Sequence, residues 1–371
     1  MKCQYYDAAA CRSCSELAVP IADQRARKEA RAQQVLSPFA PMQWLAPFAS
    51  TEQGFRNKAK MAIGGSIEAP TLGLLAADGS GVDLMQCALY PESMHAAFEP
   101  IRQTLIAARV PPYDLNTRRG EAKYALLTEA PGSGELMLRL VLRSREAIER
   151  ISKQIPGLQA ALPALKVVSV NLLPEHKAVT EGETEILLTA RDHVACRMND
   201  IEFRLTPRSF LQTHSAAGAA LYAQARDWIS MRAPATVWDL YCGAGGFALH
   251  AASCERRVIG VESTAEAIAA ARASSSAVDW VCADASDWAS AQPQVADCVI
   301  VNPPRRGIGR RLAGWLDQSG ASTLVYSSCN IESLAVDLAS MPNYQITKAR
   351  IFDMFPHTTH FETLVLLTRN G

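Results

Sequence analysis

Two side chains near the carboxyl end could share one reaction. Cys329 closes the run Tyr-Ser-Ser-Cys-Asn at 326–330, and Glu362 sits in His-Phe-Glu-Thr-Leu-Val at 360–365. A soft thiolate adds readily to an electron-poor double bond, such as carbon 6 of a uracil ring. The addition turns carbon 5 into an enolate carbon that attacks an electrophilic methyl group. The adduct must then lose the proton on carbon 5. A carboxylate among apolar neighbours, with its pKa raised by burial, suits that removal.

A second set of residues has the character of a nucleotide site. Asp-Leu-Tyr-Cys-Gly-Ala-Gly-Gly-Phe (239–247) follows an apolar strand and opens a helix, so Gly243, Gly245 and Gly246 let the backbone approach a ligand closely. Glu262 ends the next strand, where a carboxylate meets ribose hydroxyls, and Asp284 follows the third strand, beside the expected adenine edge. Asn302-Pro-Pro-Arg-Arg-Gly comes after the fourth strand, its prolines holding the chain extended. In amino-directed methyltransferases an aromatic residue usually follows Asn-Pro-Pro; Arg305 stands there and argues against an amino-group target.

The third set is metal-like. Cys3, Cys11 and Cys14 form C-x7-C-x2-C, Cys87 is the next cysteine, and no histidine lies among residues 1–94. Four thiolates suit a tetrahedral zinc or an iron–sulfur cluster, and spacing does not separate the two. The pair His357 and His360 has too few ligands for a metal and is read as ordering its loop; His214 and His250 show no recognisable partner.

The elements that must position these groups change near residue 200. Residues 24–37 read as a basic helix, 55–75 and 122–143 as an antiparallel meander, and 145–165 as a helix. Beyond residue 215, short strands alternate with helices, which predicts a doubly wound α/β sheet. The last two strands are joined by too short a turn to be parallel, so a terminal antiparallel hairpin closes the sheet, as in class I methyltransferases. The expectation is an amino-terminal, mainly β, α+β domain over 1–200 and a catalytic domain over 201–371.

The chain has 371 residues, 49% of them hydrophobic, with 37 basic and 37 acidic side chains. No run is apolar enough for a membrane span and no signal peptide is visible. The ten cysteines therefore read as thiols or ligands in a cytoplasmic protein. Zero net charge conceals an uneven distribution: residues 25–60 hold seven basic and two acidic side chains. Arg56, Lys58 and Lys60 alternate along a strand and would share one face toward phosphates.

With these residues assembled, the chain resembles the bacterial RNA uracil-C5 methyltransferases, and most closely the shorter type acting on 23S ribosomal RNA. The marks are the amino-terminal cysteines with Cys87, Gly-Phe-Arg-Asn-Lys-Ala-Lys (54–60), Phe-Leu-Gln-Thr (210–213), the glycine turn, Asn-Pro-Pro-Arg-Arg-Gly-Ile-Gly, Tyr-Ser-Ser-Cys-Asn, and 352–362. The resemblance implies a [4Fe–4S] cluster on Cys3, Cys11, Cys14 and Cys87. It also implies S-adenosyl-L-methionine contacts from Gln212, Tyr241, Glu262 and Asn302, to which the glycine turn adds Gly243 and the third strand Asp284, with Cys329 as nucleophile and Glu362 as base. Asn302 stands where longer relatives have aspartate, and their amino-terminal β-barrel is expected to be absent here. The implied partner is a single-stranded 23S rRNA loop with a flipped-out uridine, uridine 747 by analogy, acted on by a monomer whose amino-terminal domain clamps the RNA. The competing readings are the same chemistry on another rRNA or tRNA uridine, a nicotinamide oxidoreductase using the glycine turn, and a non-catalytic RNA-binding protein.

Overall fold

The computed structural model describes every residue except Ala40, Ala178 and Gly371. It divides into two units: residues 1–13, 53–197 and 205–207, and residues 14–52, 198–204 and 208–371. The expected break near 200 is thus crossed twice, because residues 14–52 group with the carboxyl-terminal unit and residues 205–207 with the other.

That second unit is built on an eight-stranded sheet. Its strands in chain order are β1 (Gln43–Trp44), β2 (Thr236–Leu240), β3 (Arg257–Glu262), β4 (Asp279–Cys282), β5 (Cys298–Val301), β6 (Thr323–Ser328), β7 (Tyr344–Phe352) and β8 (Glu362–Arg369). The spatial order is β1-β7-β8-β6-β5-β2-β3-β4. The pairs β2/β3, β2/β5, β3/β4 and β5/β6 are parallel. Strand β8 lies antiparallel between β6 and β7. This is the expected parallel sheet with a closing hairpin, extended at one edge by β1, which runs parallel to β7. The order reverses where β5 lies on one side of β2 and β3 on the other, and ligands of open α/β sheets enter at the carboxyl ends beside such a switch. Strand β5 is buried throughout and β2 nearly so, as parallel strands covered on both faces must be.

Helix Ile21–Leu36 belongs to this unit and corrects the reading of the local charge. Gln24, Lys28, Ala32 and Leu36 recur every four residues and form its buried stripe. The Lys28 Nζ donates to Asp353 Oδ1 at 2.7 Å and to the Phe355 carbonyl at 3.0 Å. Arg25 pairs with Asp353 and Arg31 with Glu332. With Arg27 paired to Glu16, four of the seven basic residues counted over 25–60 therefore face acidic groups of their own unit. Burial pulls the Lys28 pKa down against the opposing charge of Asp353.

The other unit carries a seven-stranded sheet. The strands Lys58–Gly65, Pro70–Leu75, Ala122–Glu129 and Leu136–Leu142 pair antiparallel, as the meander reading expected. Leu136–Leu142 then pairs parallel with Leu165–Leu172, and helix Ile148–Ala161 supplies the crossover that a parallel pair requires. A helix at Glu92–Ala107, containing Pro100, covers the sheet and had no counterpart in the sequence reading. Its Met94, Phe98, Ile101 and Leu105 pack with Met61, Leu127 and Leu138 in one core. Among the described residues no helix is long and apolar enough to cross a membrane.

Candidate active site

The glycine turn wraps the carboxyl end of β3. The backbone N–H groups of Tyr241 and Cys242 both donate to the Val261 carbonyl at 3.0 Å. Tyr241 takes a positive φ of 71°, a strained conformation for a tyrosine and of a kind that gathers at functional sites. Gly245 has φ 94°, and a Cβ there would lie 2.5 Å from the Trp280 ring, so only glycine fits. Gly243, at φ 55°, donates its N–H to Glu262 Oε2 at 3.3 Å. The other Glu262 oxygen accepts from the Thr264 N–H at 2.9 Å and the Ser263 hydroxyl at 3.1 Å. The carboxylate is thus oriented before any ligand arrives.

Beneath this turn, Asp239 is fully buried. The Ala248 N–H donates to its Oδ2 at 2.8 Å, while Oδ1 has no hydrogen-bond partner. Burial, reinforced by the charge of Glu262, pushes its carboxyl up to about 8. Asp284 caps the helix Ala285–Ser290 by accepting from the Ser286 and Asp287 N–H groups.

On the other side of the switch, the Asn302–Gly309 loop is tied to the strand bearing the nucleophile. Asp337, itself buried, accepts from the Ile308 N–H (2.9 Å), the Gly309 N–H (3.1 Å) and the Tyr326 hydroxyl (2.6 Å). The Asn330 side chain donates to the Arg305 carbonyl at 3.1 Å. One carboxylate and one amide therefore fix the loop after β5 against the end of β6.

Cys329 lies just past β6 and is half-buried. Burial pushes its thiol up, the charge of Glu362 pushes the same way, and the Arg305 guanidinium pulls it down. Glu362 opens β8, opposite Phe352 in register, and is buried. Its pKa is raised to about 7 by that burial, against the Ser327 hydroxyl donating to Oε1 at 2.5 Å.

All eight residues expected to bind cofactor or react line one cavity of about 530 Å³: Gln212, Tyr241, Gly243, Glu262, Asp284, Asn302, Cys329 and Glu362. Arg305, Phe355 and Phe210 line it too, the last 62% exposed. The sequence reading gave no role to Arg305, Ser327 or Asp337. Arg305 had a signal, its place straight after the prolines; Ser327 and Asp337 had none beyond the motifs around them.

The histidines divide by role. His357 is buried, donates its N–H to Gln24 Oε1 at 2.9 Å, and places Nε2 2.9 Å from the Glu52 carbonyl, which orders the loop before β8. His360 is exposed, 3.3 Å from the Arg305 guanidinium. His214 caps helix Ser215–Arg232, and His250 lies between Asn199 and the Gly246 carbonyl.

In the other unit, the Gln86 N–H donates to the Tyr5 hydroxyl at 3.0 Å, setting the amino-terminal turn beside the segment of Cys87. Burial raises the Cys87 thiol, and the nearby Cys3 and Cys11 add to the rise. These thiols are the soft donors that zinc or an iron–sulfur cluster takes. Among the described residues, however, no three His, Cys, Asp or Glu side chains converge as a metal site. Arg56 and Lys58 are half-buried and Lys60 is exposed; Lys58 and Lys60 alternate with the buried Ala59 and Met61, so they share the face away from the core.

Comparison with known proteins places this geometry in context. Residues 292–370 match the family model tRNA (Uracil-5-)-methyltransferase. The 23S rRNA (uracil(747)-C(5))-methyltransferases RlmC of Citrobacter koseri and Escherichia coli are each 44% identical, over the whole of both chains. The crystal structure of Pyrococcus abyssi tRNA (uracil-54, C5)-methyltransferase in complex with S-adenosyl-L-homocysteine superposes with a TM-score of 0.79. It covers 96% of this chain and 85% of that one at 21% identity.

Proposed function

The chain belongs to the 23S rRNA (uracil-C5)-methyltransferase family, and from that premise we propose that it methylates carbon 5 of a uridine in 23S ribosomal RNA, the equivalent of uridine 747. The observation that carries the reading is the single cavity in which Cys329 and Glu362 meet the glycine turn and Glu262. The nicotinamide oxidoreductase reading gives no work to that thiol and carboxylate, and the family replaces it.

S-adenosyl-L-methionine supplies the methyl group as an electrophilic sulfonium carbon. Glu262 would take its ribose hydroxyls, Asp284 and Tyr241 would meet the adenine, and Gln212 and Asn302 would complete the cofactor wall. The Cys329 thiolate forms a C–S bond at carbon 6, and the C5–C6 π pair moves to carbon 5 as an enolate. Carbon 5 takes the methyl, and the sulfonium leaves as neutral S-adenosyl-L-homocysteine. Glu362 accepts the carbon 5 proton, the C5–C6 double bond reforms, and the C–S bond breaks to return the thiolate. While the C–S bond holds, Glu362 is the only one of the two that carries charge, and after release of the product it gives its proton to water, which resets the site for the next cycle. Arg305 stabilises the thiolate at the start and the end of the cycle.

The substrate is read as an unpaired uridine turned out of a loop, because attack at carbon 6 and methylation at carbon 5 need the faces of the ring, which a stacked and paired base keeps covered. The segment 1–200 is read as the RNA-clamping and cluster-bearing part, with Cys3, Cys11, Cys14 and Cys87 holding a [4Fe–4S] cluster. Methyl transfer is redox-neutral, so the cluster would stabilise the fold. Protein purified anaerobically is expected to be brown, with four irons and four sulfides per chain; stoichiometric zinc would replace the cluster. Arg56, Lys58 and Lys60 are read as phosphate contacts. Alanine at both Arg56 and Lys58 is expected to weaken RNA binding and to flatten its dependence on salt by about two ions released. An unchanged slope in a salt titration removes them from the interface.

The function is tested with 23S rRNA fragments labelled with tritium at uridine carbon 5. Methylation at one position releases one tritium per methyl transferred. Methyl incorporation without tritium release moves the reaction away from carbon 5.

A further inference from the structure

The amino-terminal unit contains a second cavity, of about 330 Å³, that shares no lining residue with the catalytic one. Its walls combine aromatic, basic and exposed apolar groups. Tyr113 and Tyr124 contribute rings, and His176 and Lys177 contribute nitrogen groups at an exposed edge. Leu115 (43% exposed) and Val179 (45%) also line it, two large apolar side chains that the chain leaves open to water beside a hollow. Among the described residues no aspartate or glutamate lines it, although Glu175 acts on Lys123 and Glu181 on Lys60 beside it.

One wall is held rigidly. The Tyr113 hydroxyl lies 3.1 Å from His176 Nδ1. Lys123 Nζ donates to the Leu173 and Glu175 carbonyls at 2.7 Å each and stands 4.5 Å from the centre of the Tyr113 ring. Lys123 is thereby consumed in fixing the wall, and Lys177 is an exposed cation at the rim. Tyr124 rests on Leu126, Val141 and Leu173, and Lys60 Nζ lies 6.0 Å from its ring centre. The cavity is thus continuous, through Tyr124, with the strand face that carries Lys58 and Lys60.

A preorganised aromatic wall with cations at the rim matches the two parts of a nucleotide, a stackable base and a phosphate. An acidic or apolar peptide would use the cations or the leucine and valine, but would leave the half-buried Tyr124 ring without a matching planar group. We propose that this cavity is an RNA subsite of the enzyme, taking one unpaired base of the substrate RNA against Tyr124 while Lys177 and Lys60 hold the adjoining phosphates. The proposal rests on the RNA methyltransferase reading above and adds to it a base-binding position outside the catalytic cavity.

The experiment measures equilibrium binding of a 23S rRNA fragment carrying the target uridine, and methyl transfer to it, for the full-length protein and three variants. Tyr124→Phe keeps the ring and is expected to bind within twofold of wild type. Tyr124→Ala is expected to bind about tenfold more weakly, the loss of one stacked base. Lys177→Ala lies on the surface, does not disturb the core, and is expected to lower the salt slope by about one ion. In both, the rate at saturating RNA stays at the wild-type value, because the reacting groups are untouched. Adenosine and uridine monophosphates at millimolar concentration are expected not to compete, since the subsite is filled by a base delivered on RNA. Unchanged affinity in both Tyr124→Ala and Lys177→Ala, with a wild type that binds and methylates the RNA, overturns the subsite and leaves the function standing. Full competition by the free nucleotides also overturns it, in favour of a small-molecule site. A wild-type protein that neither binds nor methylates the RNA overturns the function and the subsite with it.

Discussion

Glu362→Gln is expected to stall the enzyme on its RNA, with the methyl group already on carbon 5 and the Cys329–C6 bond intact. Glutamine has the shape of glutamate and keeps an oxygen to accept the Ser327 hydroxyl, so the cavity is preserved while the proton acceptor is lost. The addition and the methyl transfer do not use the carboxylate; only removal of the carbon 5 proton does. Turnover is expected to fall by about 10²- to 10⁴-fold, the usual contribution of a positioned base. A protein–RNA adduct should accumulate on a denaturing gel in proportion. The same substitution carries a signature in stability. The Glu362 pKa is near 7 in the folded protein and 4.5 ordinarily, so the native state is favoured while the carboxyl is protonated. That advantage is complete below pH 4.5, is lost as pH rises to 7, and does not return above it. Glutamine removes the loss, so the variant should unfold at higher temperature than wild type at pH 8 and at a similar temperature at pH 5. The gain is about 3 kcal/mol. The wild-type rate should rise with pH through about 7 as the carboxylate forms.

Cys329→Ala is expected to abolish methylation, by about 10⁴-fold or more, because every later step depends on the C–S bond. Cofactor binding should survive, measured by calorimetry with S-adenosyl-L-homocysteine, since the groups assigned to it come from the glycine turn, Glu262 and the Asn302 loop. The alanine variant also separates the catalytic reading from that of a non-catalytic RNA-binding protein, in which the thiol would be dispensable. A variant that keeps more than a few per cent of the activity assigns the nucleophile elsewhere.

The cavity-lining residues could be read in sequence for a physical reason. In an open parallel sheet the ligand edge is the carboxyl end of each strand, so the residue just after an apolar run is already placed at the site. Tyr241, Glu262, Asp284, Asn302 and Cys329 all occupy such positions. Glu362 instead opens a strand, and it arrives at the same edge because β8 runs antiparallel to β6. What could not be read are contacts between segments far apart in the chain. Asp337 grips the Asn302 loop across 28 and 29 residues, and Lys28 meets Asp353 across 325. Nothing in the local pattern of either segment announces its partner. The charge count over 25–60 failed for the same reason, since a count ignores which face a side chain is on. Helix Glu92–Ala107 was hidden by Pro100, which reads as a breaker yet is accommodated within a helix whose buried side packs on the sheet. The cysteine spacing pointed to a shared metal centre, and that remains a proposal to be settled by iron and sulfide analysis.

The central claim is that Cys329 attacks carbon 6 and a base then removes the substituent on carbon 5. The most direct measurement uses RNA in which the target uridine is replaced by 5-fluorouridine. Fluorine cannot leave as a cation, so the reaction halts after methyl transfer with the RNA bound to the enzyme. The account predicts a denaturation-resistant adduct that forms only with S-adenosyl-L-methionine present and disappears in Cys329→Ala, with the crosslinked peptide containing Cys329. The absence of an adduct from an active wild-type enzyme, or one mapped to another cysteine, contradicts it.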